Sequence, residues 1–347
     1  NMGTLQQSAG DLILVTNGNG AATVVNNAAI DFGTSNVGGA LDVTASAGTI
    51  TQNGGALTVA GTSAFTTSTN DQAITLSNTT NALTGAVAFT TGGTTGNVVI
   101  DNGTTGLDLA ASTINGTLTA TGGASAGIVD SGNVAVAGNV TLTTDAGNGV
   151  INMGTLQQSA GDLILVTNGT GAATVVNNAG IDFGTSNVGG ALSATASAGN
   201  ITQNGGAITV AGTSSFILGA NSANVVLDHA SNAFSGAVTL LAGAGGSQAF
   251  GNVTFVDDSA VKIDANADAA GDLYLNAGTD GAVGGNLAVT ATTGNITQGV
   301  AVAVTGTSAF TTSASDATIT LGTTTNALGG TVAFTTAGTA GNVVIDN

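Results

Sequence analysis

The sequence predicts an all-β chain wound as a right-handed parallel β-helix (β-solenoid), and three observations carry the prediction. Helix-building residues are scarce. A long stretch returns almost verbatim 151 residues further on. Inside it runs a shorter rhythm of about 25 residues, the length of one structural turn in a repeat protein.

Composition rules out the two simplest alternatives. All 19 acidic residues are Asp, Lys262 is the only basic residue apart from His229, and there are 56 glycines. Glu, Lys and Arg support helices, whereas Gly, Asn, Thr and Asp oppose them, so helix has little to build on. Disordered chains lack apolar and β-branched residues, yet here hydrophobic residues make up 42% and mean hydropathy is positive. Short runs such as LILV, ATVV, ALTVA and NVVI read as strands, with the Gly/Asn/Asp/Ser clusters between them as turns.

The long repeat sets the organisation. NMGTLQQSAGDLILVTNG begins at Asn1 and again at Asn152, and from Asn1 to Leu41 only Asn19 (Thr170) and Ala29 (Gly180) differ between the copies. One unit spans 1–151, a second begins over 152–217, and a partial third covers 284–347, within a single continuous solenoid over 1–347. Starts of the short unit fall at Ile50, Ile74, Val98, Ile128, Val150 and Val175 before Ile201 resumes the first phrase. That gives six turns of about 25 residues per long unit and roughly 14 in the chain. Both ends read as internal to a longer chain.

Each turn is expected to hold two or three short strands. Alternation puts Leu57 with Val59, and Val87 with Phe89, on one face. Phe65, Phe216 and Phe310 recur at one place in the turn, as do Phe89 and Phe334, and are assigned to inward columns. So small a unit cannot bury its own apolar face, but stacked on like neighbours it can. The hand follows from the rule that crossovers between parallel strands are right-handed.

Phrases such as GGALDVTASAGTITQNGGALTVAGTSAF (Gly38–Phe65) and NALTGAVAFTT (Asn81–Thr91) resemble the repeats of filamentous haemagglutinin-like adhesins, exoproteins of the two-partner secretion type. The likeness is clearest over Gly38–Asn102, Gly189–Val238 and Gly284–Asn347, and the N-terminal secretion domain of that family is not in this sequence. It implies an exported β-helical shaft, on the cell surface or released from it, and brings no catalytic residues.

Chemistry has few places to reside. Several β-helices act on polysaccharides, but such sites need placed bases, paired carboxylates or a cation working with Lys or Arg. Asp228 and His229 adjoin in VVLDHASNAF, yet neighbouring strand residues point to opposite faces, so the histidine is read as solvated. The one polar concentration is VDDSAVKIDANADAAGD, with Asp257, Asp258, Asp264, Asp268 and Asp272 around Lys262. DANAD echoes the opening of a calcium loop, but Ala269 stands where such a loop needs Gly and Leu275 where it needs Glu. Asp257, Asp258, Asp264 and Asp268 are therefore a candidate calcium site, with a solvated acidic face as the competing reading. Thr-x-Thr rows occur only sporadically.

The expectation is a non-catalytic, extracellular structural protein without a resident cofactor, calcium apart. It would be a rigid shaft segment of a bacterial filament or giant adhesin. Its partners would be neighbouring turns or copies of itself along the fibre, and glycans or proteins of a host or neighbouring cell. The net charge of −18 argues against nucleic acid, and no apolar run approaches the ~18–20 residues that cross a bilayer. The alternatives are a surface-layer or matrix fibre of stacked subunits and, more remotely, a β-helical carbohydrate-active enzyme.

Overall fold

The chain is a parallel β-solenoid of about 15 turns averaging about 22 residues. The computed structural model describes residues 2–123, 126–145, 147–243, 248–278 and 281–347, and among these no residue is helical. Two compact units divide it, Asn1–Val175 and Val176–Asn347.

In the first unit two sheets alternate along the chain. One sheet stacks Ile30–Val37, Ile50–Val59, Ile74–Leu76, Val98–Asp101, Leu118–Gly122, Val140–Thr144 and Leu163–Val166, parallel throughout. The other stacks Ala22–Asn26, Leu41–Ala45, Ser63–Asn70 and Val87–Gly92. It continues through Leu107–Leu109 and Ser112–Ile114, then Ile128–Asp130 and Val134–Val136, to Ile151–Gln158. Residues of like character stand beside one another: Ile30 pairs with Ile50, Ile50 with Ile74, and Ile74 with Val98.

The register corrects the expected turn. From Ile30 the equivalent position recurs at Ile50, Ile74, Val98, Leu118, Val140 and Leu163. Ile181 is the counterpart of Ile30 in the second copy, so 151 residues hold seven turns instead of six. The miscount has a physical cause. Ile128, and Ile151 next to the expected start Val150, lie in the sheet opposite to Ile50, Ile74 and Val98, so a series passing through these positions changes sheets without showing it.

In the second unit Ile181–Phe183, Ile201–Gln203, Val225–Leu227, Val253–Asp257, Leu287–Ala291, Ser308–Ser315 and Val332–Ala337 stack in one sheet. Leu192–Ala196, Ser214–Leu218, Val238–Ala242 and Asp272–Asn276 stack in the other, which Val261–Asp264, Ile296–Gln298, Ile319–Leu321 and Val343–Ile345 continue. One turn is enlarged: Val253 pairs with Leu287, 34 residues later. The surplus includes a local excursion, where Val261–Asp264 pairs with Asp272–Asn276 only ten residues on.

The interior is made of columns. Leu57, Val59, Val87 and Phe89 are fully buried, as alternation required. Phe32, Phe65 and Phe89 follow one another with ring centroids 6.3 and 5.9 Å apart. In the second unit Phe183, Phe216, Phe234 and Phe255 do so at 5.9, 5.9 and 5.5 Å. Phe310 stacks on Phe334, which is half-buried. Such aromatic pairs add roughly 0.5–1.5 kcal/mol each beyond the area they bury.

Corners reuse one device. Asp71, Asn148 and Asp316 adopt left-handed backbone (φ 63°, 62° and 61°), as do Gly93, Gly169 and Gly338 in the turns that follow them. A Cβ on any of these glycines would collide with the side-chain oxygen of the preceding corner residue. Glycine is therefore required twice over, by conformation and by space.

Ser63, Ser214 and Ser308 occupy equivalent inward positions, are buried, and their hydroxyls find no hydrogen-bond partner. An unsatisfied buried polar group costs about 1–3 kcal/mol. Ser214→Ala is thus expected to stabilise the chain by about 1 kcal/mol, and Phe216→Ala, two residues along the same strand, to destabilise it by about 3–5 kcal/mol. Urea denaturation of the two variants beside wild type reads both signs.

Candidate functional site

The charged residues outside the regular turns gather on the enlarged turn of the second unit. Lys262 lies on strand Val261–Asp264 and is half exposed, with its ammonium against the Asp264 carboxylate and 3.9 Å from Asp272. That contact holds the Asp264 carboxyl below the ordinary carboxylate range, aided by the Ala265 N–H, and the same hydrogen bond raises Lys262. Asp272 is buried and accepts from the Ala269 and Asp268 backbone amides at 2.8 and 3.3 Å. These bonds close the loop 265–271 back on itself.

Asp257 faces the interior. It is 2% exposed. One carboxylate oxygen accepts from the Phe234 and Asp258 amides at 2.9 and 3.0 Å, and the other from the Ser259 hydroxyl at 2.6 Å. Burial pushes its carboxyl up, while the bonds from Phe234 and Ser259 oppose that shift.

The calcium candidate does not assemble. Among the described residues no three acidic or histidine side chains gather where they could hold a metal ion. Asp257 is committed to inward hydrogen bonds and Asp264 to Lys262. The reason is topological: Asp257 and Asp264 end two different strands, Val253–Asp257 and Val261–Asp264, while Asp258 and Asp268 lie in the loops outside them, so closeness in sequence does not bring the carboxylates to one point.

Asp228 and His229 follow strand Val225–Leu227 in an exposed loop, so they belong to a turn instead of a strand. His229 Nδ1 accepts from the Ser231 amide at 3.1 Å. Asn78, its counterpart 151 residues earlier, accepts from Thr80 in the same way at 2.9 Å. The histidine fills an asparagine's place in a turn.

The polar residues that organise the turns are ones the composition conceals. Asn81 accepts from the Leu57 amide and from Gln52, and donates to Leu76, Asp101 and Gln52. Asn232 with Gln203, and Asn326 with Gln298, repeat the arrangement. The only legible trace was the recurrence of ITQ followed by NAL or NAF about 30 residues later. A shallow groove of about 510 Å³ lies beside the enlarged turn, with the outward alanines Ala282, Ala303 and Ala327 of a short three-stranded sheet among its lining. Among the described residues its lining carries no charged side chain.

Matches to DUF5649, repeats of unknown function, cover 19–90, 95–166, 170–241 and 250–335. The chain belongs to this family. Comparison with curated proteins and with solved structures returned no match.

The DUF5649 repeat spans three and a half turns. In the first unit the leading strands of each half-turn of 19–90 start at Ala22, Ile30, Leu41, Ile50, Ser63, Ile74 and Val87, alternating between the sheets. Those of 95–166 start at Val98, Leu107, Leu118, Ile128, Val140, Ile151 and Leu163, and each lies in the sheet opposite to its counterpart. Two repeats, seven turns, restore the face, which is why near-identity returns at 151 residues. The fourth match carries the extra strand Asp272–Asn276. It also has Lys262 where the first three have Asp31, Asp108 and Asp182.

Asn232→Ala should cost about 1–3 kcal/mol by leaving buried partners unpaired, whereas His229→Ala should stay within about 0.5 kcal/mol, both by denaturant titration. Asp71 and Asp316 are held below the ordinary carboxylate range by two backbone amides each, Thr94 and Thr95 for the first, Ala340 and Thr339 for the second. Their stabilisation is present above that range and is lost as pH falls through their depressed folded values. Carbonyl NMR titration should show both midpoints below those of Asp residues in an unfolded peptide.

Proposed function

We propose that the chain is a shaft segment of an extracellular bacterial filament or giant adhesin, and that its contribution is mechanical. The observation that carries this reading is the near-verbatim return at 151 residues, a whole number of turns. Selection for a catalytic site preserves one constellation; selection for continuity preserves junctions, and like turns make compatible junctions. Parallel pairing across successive turns supports the same reading, because each added turn is held by backbone hydrogen bonds along its strands.

The resemblance of Gly38–Phe65 and Asn81–Thr91 to filamentous haemagglutinin-like repeats supports export to the cell surface. The acidic surface suits it too: like charge opposes side-by-side clumping, and a chain with one Lys and no Arg offers little to trypsin-like proteases. In this reading the chain carries no chemistry of its own, and host or neighbouring-cell glycans or proteins are met by surfaces that the shaft holds at a distance.

The test is to lengthen the 347-residue chain by one and by two further copies of residues 30–180, seven turns each. Electron microscopy should show particles longer by a constant increment of about 34 Å per copy, from ~4.8 Å per turn. Cells displaying the longest version should adhere beyond the range of a short tether. Unequal increments, or thickening without lengthening, would remove the shaft reading.

A further inference from the structure

The four DUF5649 matches place a buried polar residue at the same position, the eighth of each: Asn26, Asn102, Asn177 and Asp257. All four are at most 2% exposed. In the three asparagines the side-chain amide donates to a backbone carbonyl just ahead: Asn26 to Ala29 at 2.7 Å, Asn102 to Gly106 at 2.8 Å and Asn177 to Gly180 at 2.8 Å. The carbonyl oxygen accepts from the turn before, as Asn26 does from Gln7 and Asn102 from Leu83. One side chain thereby pins its own corner and staples it to its neighbour.

Asp257 keeps the accepting half and lacks the donating half. It accepts from the Phe234 amide like an asparagine, but an ionised carboxylate has no hydrogen to give. The carbonyl that corresponds to Ala29 and Gly180 is that of Ala260, and it is reached by the Ser259 hydroxyl at 3.1 Å. That same hydroxyl lies 2.6 Å from Asp257. Its single hydrogen must serve two acceptors, so one of them goes short.

We infer that Asp257 makes the enlarged turn a weak joint, the place in the second unit where the solenoid opens first. Asparagine at 257 would close it as the other three repeats are closed. A buried charge with incomplete partners is among the costliest features a core can hold, and it sits where the chain carries its insertion and extra strand. A proton on Asp257 would supply the missing donor, passing through Ser259 to the Ala260 carbonyl.

The sign of the pH effect follows. Burial raises the folded-state value above that of the unfolded chain, so between the two the folded state binds more protons. Stability therefore falls as pH climbs through that window, and above the folded value the added stability is gone. Asp258 is the charged neighbour acting on Asp257. The flanking strands Val225–Leu227, Ala233–Phe234 and Leu287–Ala291 carry no titratable side chain. Asp228 and His229 are exposed, and Lys262 and Asp264 pair with each other.

The experiment is hydrogen–deuterium exchange on the full 347-residue chain at neutral and mildly acidic pH, corrected for intrinsic rates, with Asp257→Asn, Ser259→Ala and Asp264→Asn. At neutral pH, Asp257→Asn should raise protection of peptides spanning 253–276 about tenfold, leave those spanning 41–91 unchanged, and abolish the local gain that wild type shows on acidification. Ser259→Ala should lower neutral-pH protection and move that gain to higher pH, and Asp264→Asn should do neither. Equal protection of wild type and Asp257→Asn at neutral pH would overturn the inference. So would a rise in wild-type protection on adding millimolar calcium alone, since a cation would then be filling the place assigned to the proton.

Discussion

Everything in this molecule depends on one constraint: a residue must be able to lie beside its own kind one turn away. Parallel, in-register pairing puts Ile beside Ile and Phe over Phe, about 4.8 Å along the axis. Apolar side chains meet that demand by packing, and amides meet it by donating in one direction and accepting in the other. Like charges cannot meet it at all. Hence the interior is chiefly Val, Ile, Leu, Phe and Ala with Asn, Ser and Thr, and 16 of the 18 Asp among the described residues stay out of the buried set.

The two exceptions, Asp257 and Asp272, both fall on the enlarged turn. A regular turn has no room for them, because a carboxylate above and another below would repel. Where the chain departs from its period, the neighbours differ and the prohibition relaxes. The same departure accommodates Lys262 at a position that is otherwise Asp. Irregularity in a stacked fold is thus both a structural cost and the only place where unusual residues can enter.

The fold class was legible because its signals are local. Alternation in ALTVA and VAFTT placed Leu57, Val59, Val87 and Phe89 inside, and they are buried. The number of turns was not legible, because Val98 and Ile128 look alike while facing opposite sides of the core. The Gln52–Asn81 pairing was hidden for a different reason: in a chain rich in Asn, nothing in a single letter separates a buried amide from an exposed one. The acidic run echoed a metal loop in its spacing, but spacing does not say which side chains converge: Asp257 turns inward and Asp264 pairs with Lys262. His229 drew attention by rarity alone, and its environment is that of Asn78.

The half-integer length of the DUF5649 repeat bears on how such a chain can change over generations. Gain or loss of one repeat leaves the backbone perfectly continuous, yet swings everything downstream through half a revolution. Gain or loss of two leaves the outward faces where they were. Recombination between tandem copies can therefore alter reach freely in even steps, while an odd step transfers whatever the distal part displays to the other side.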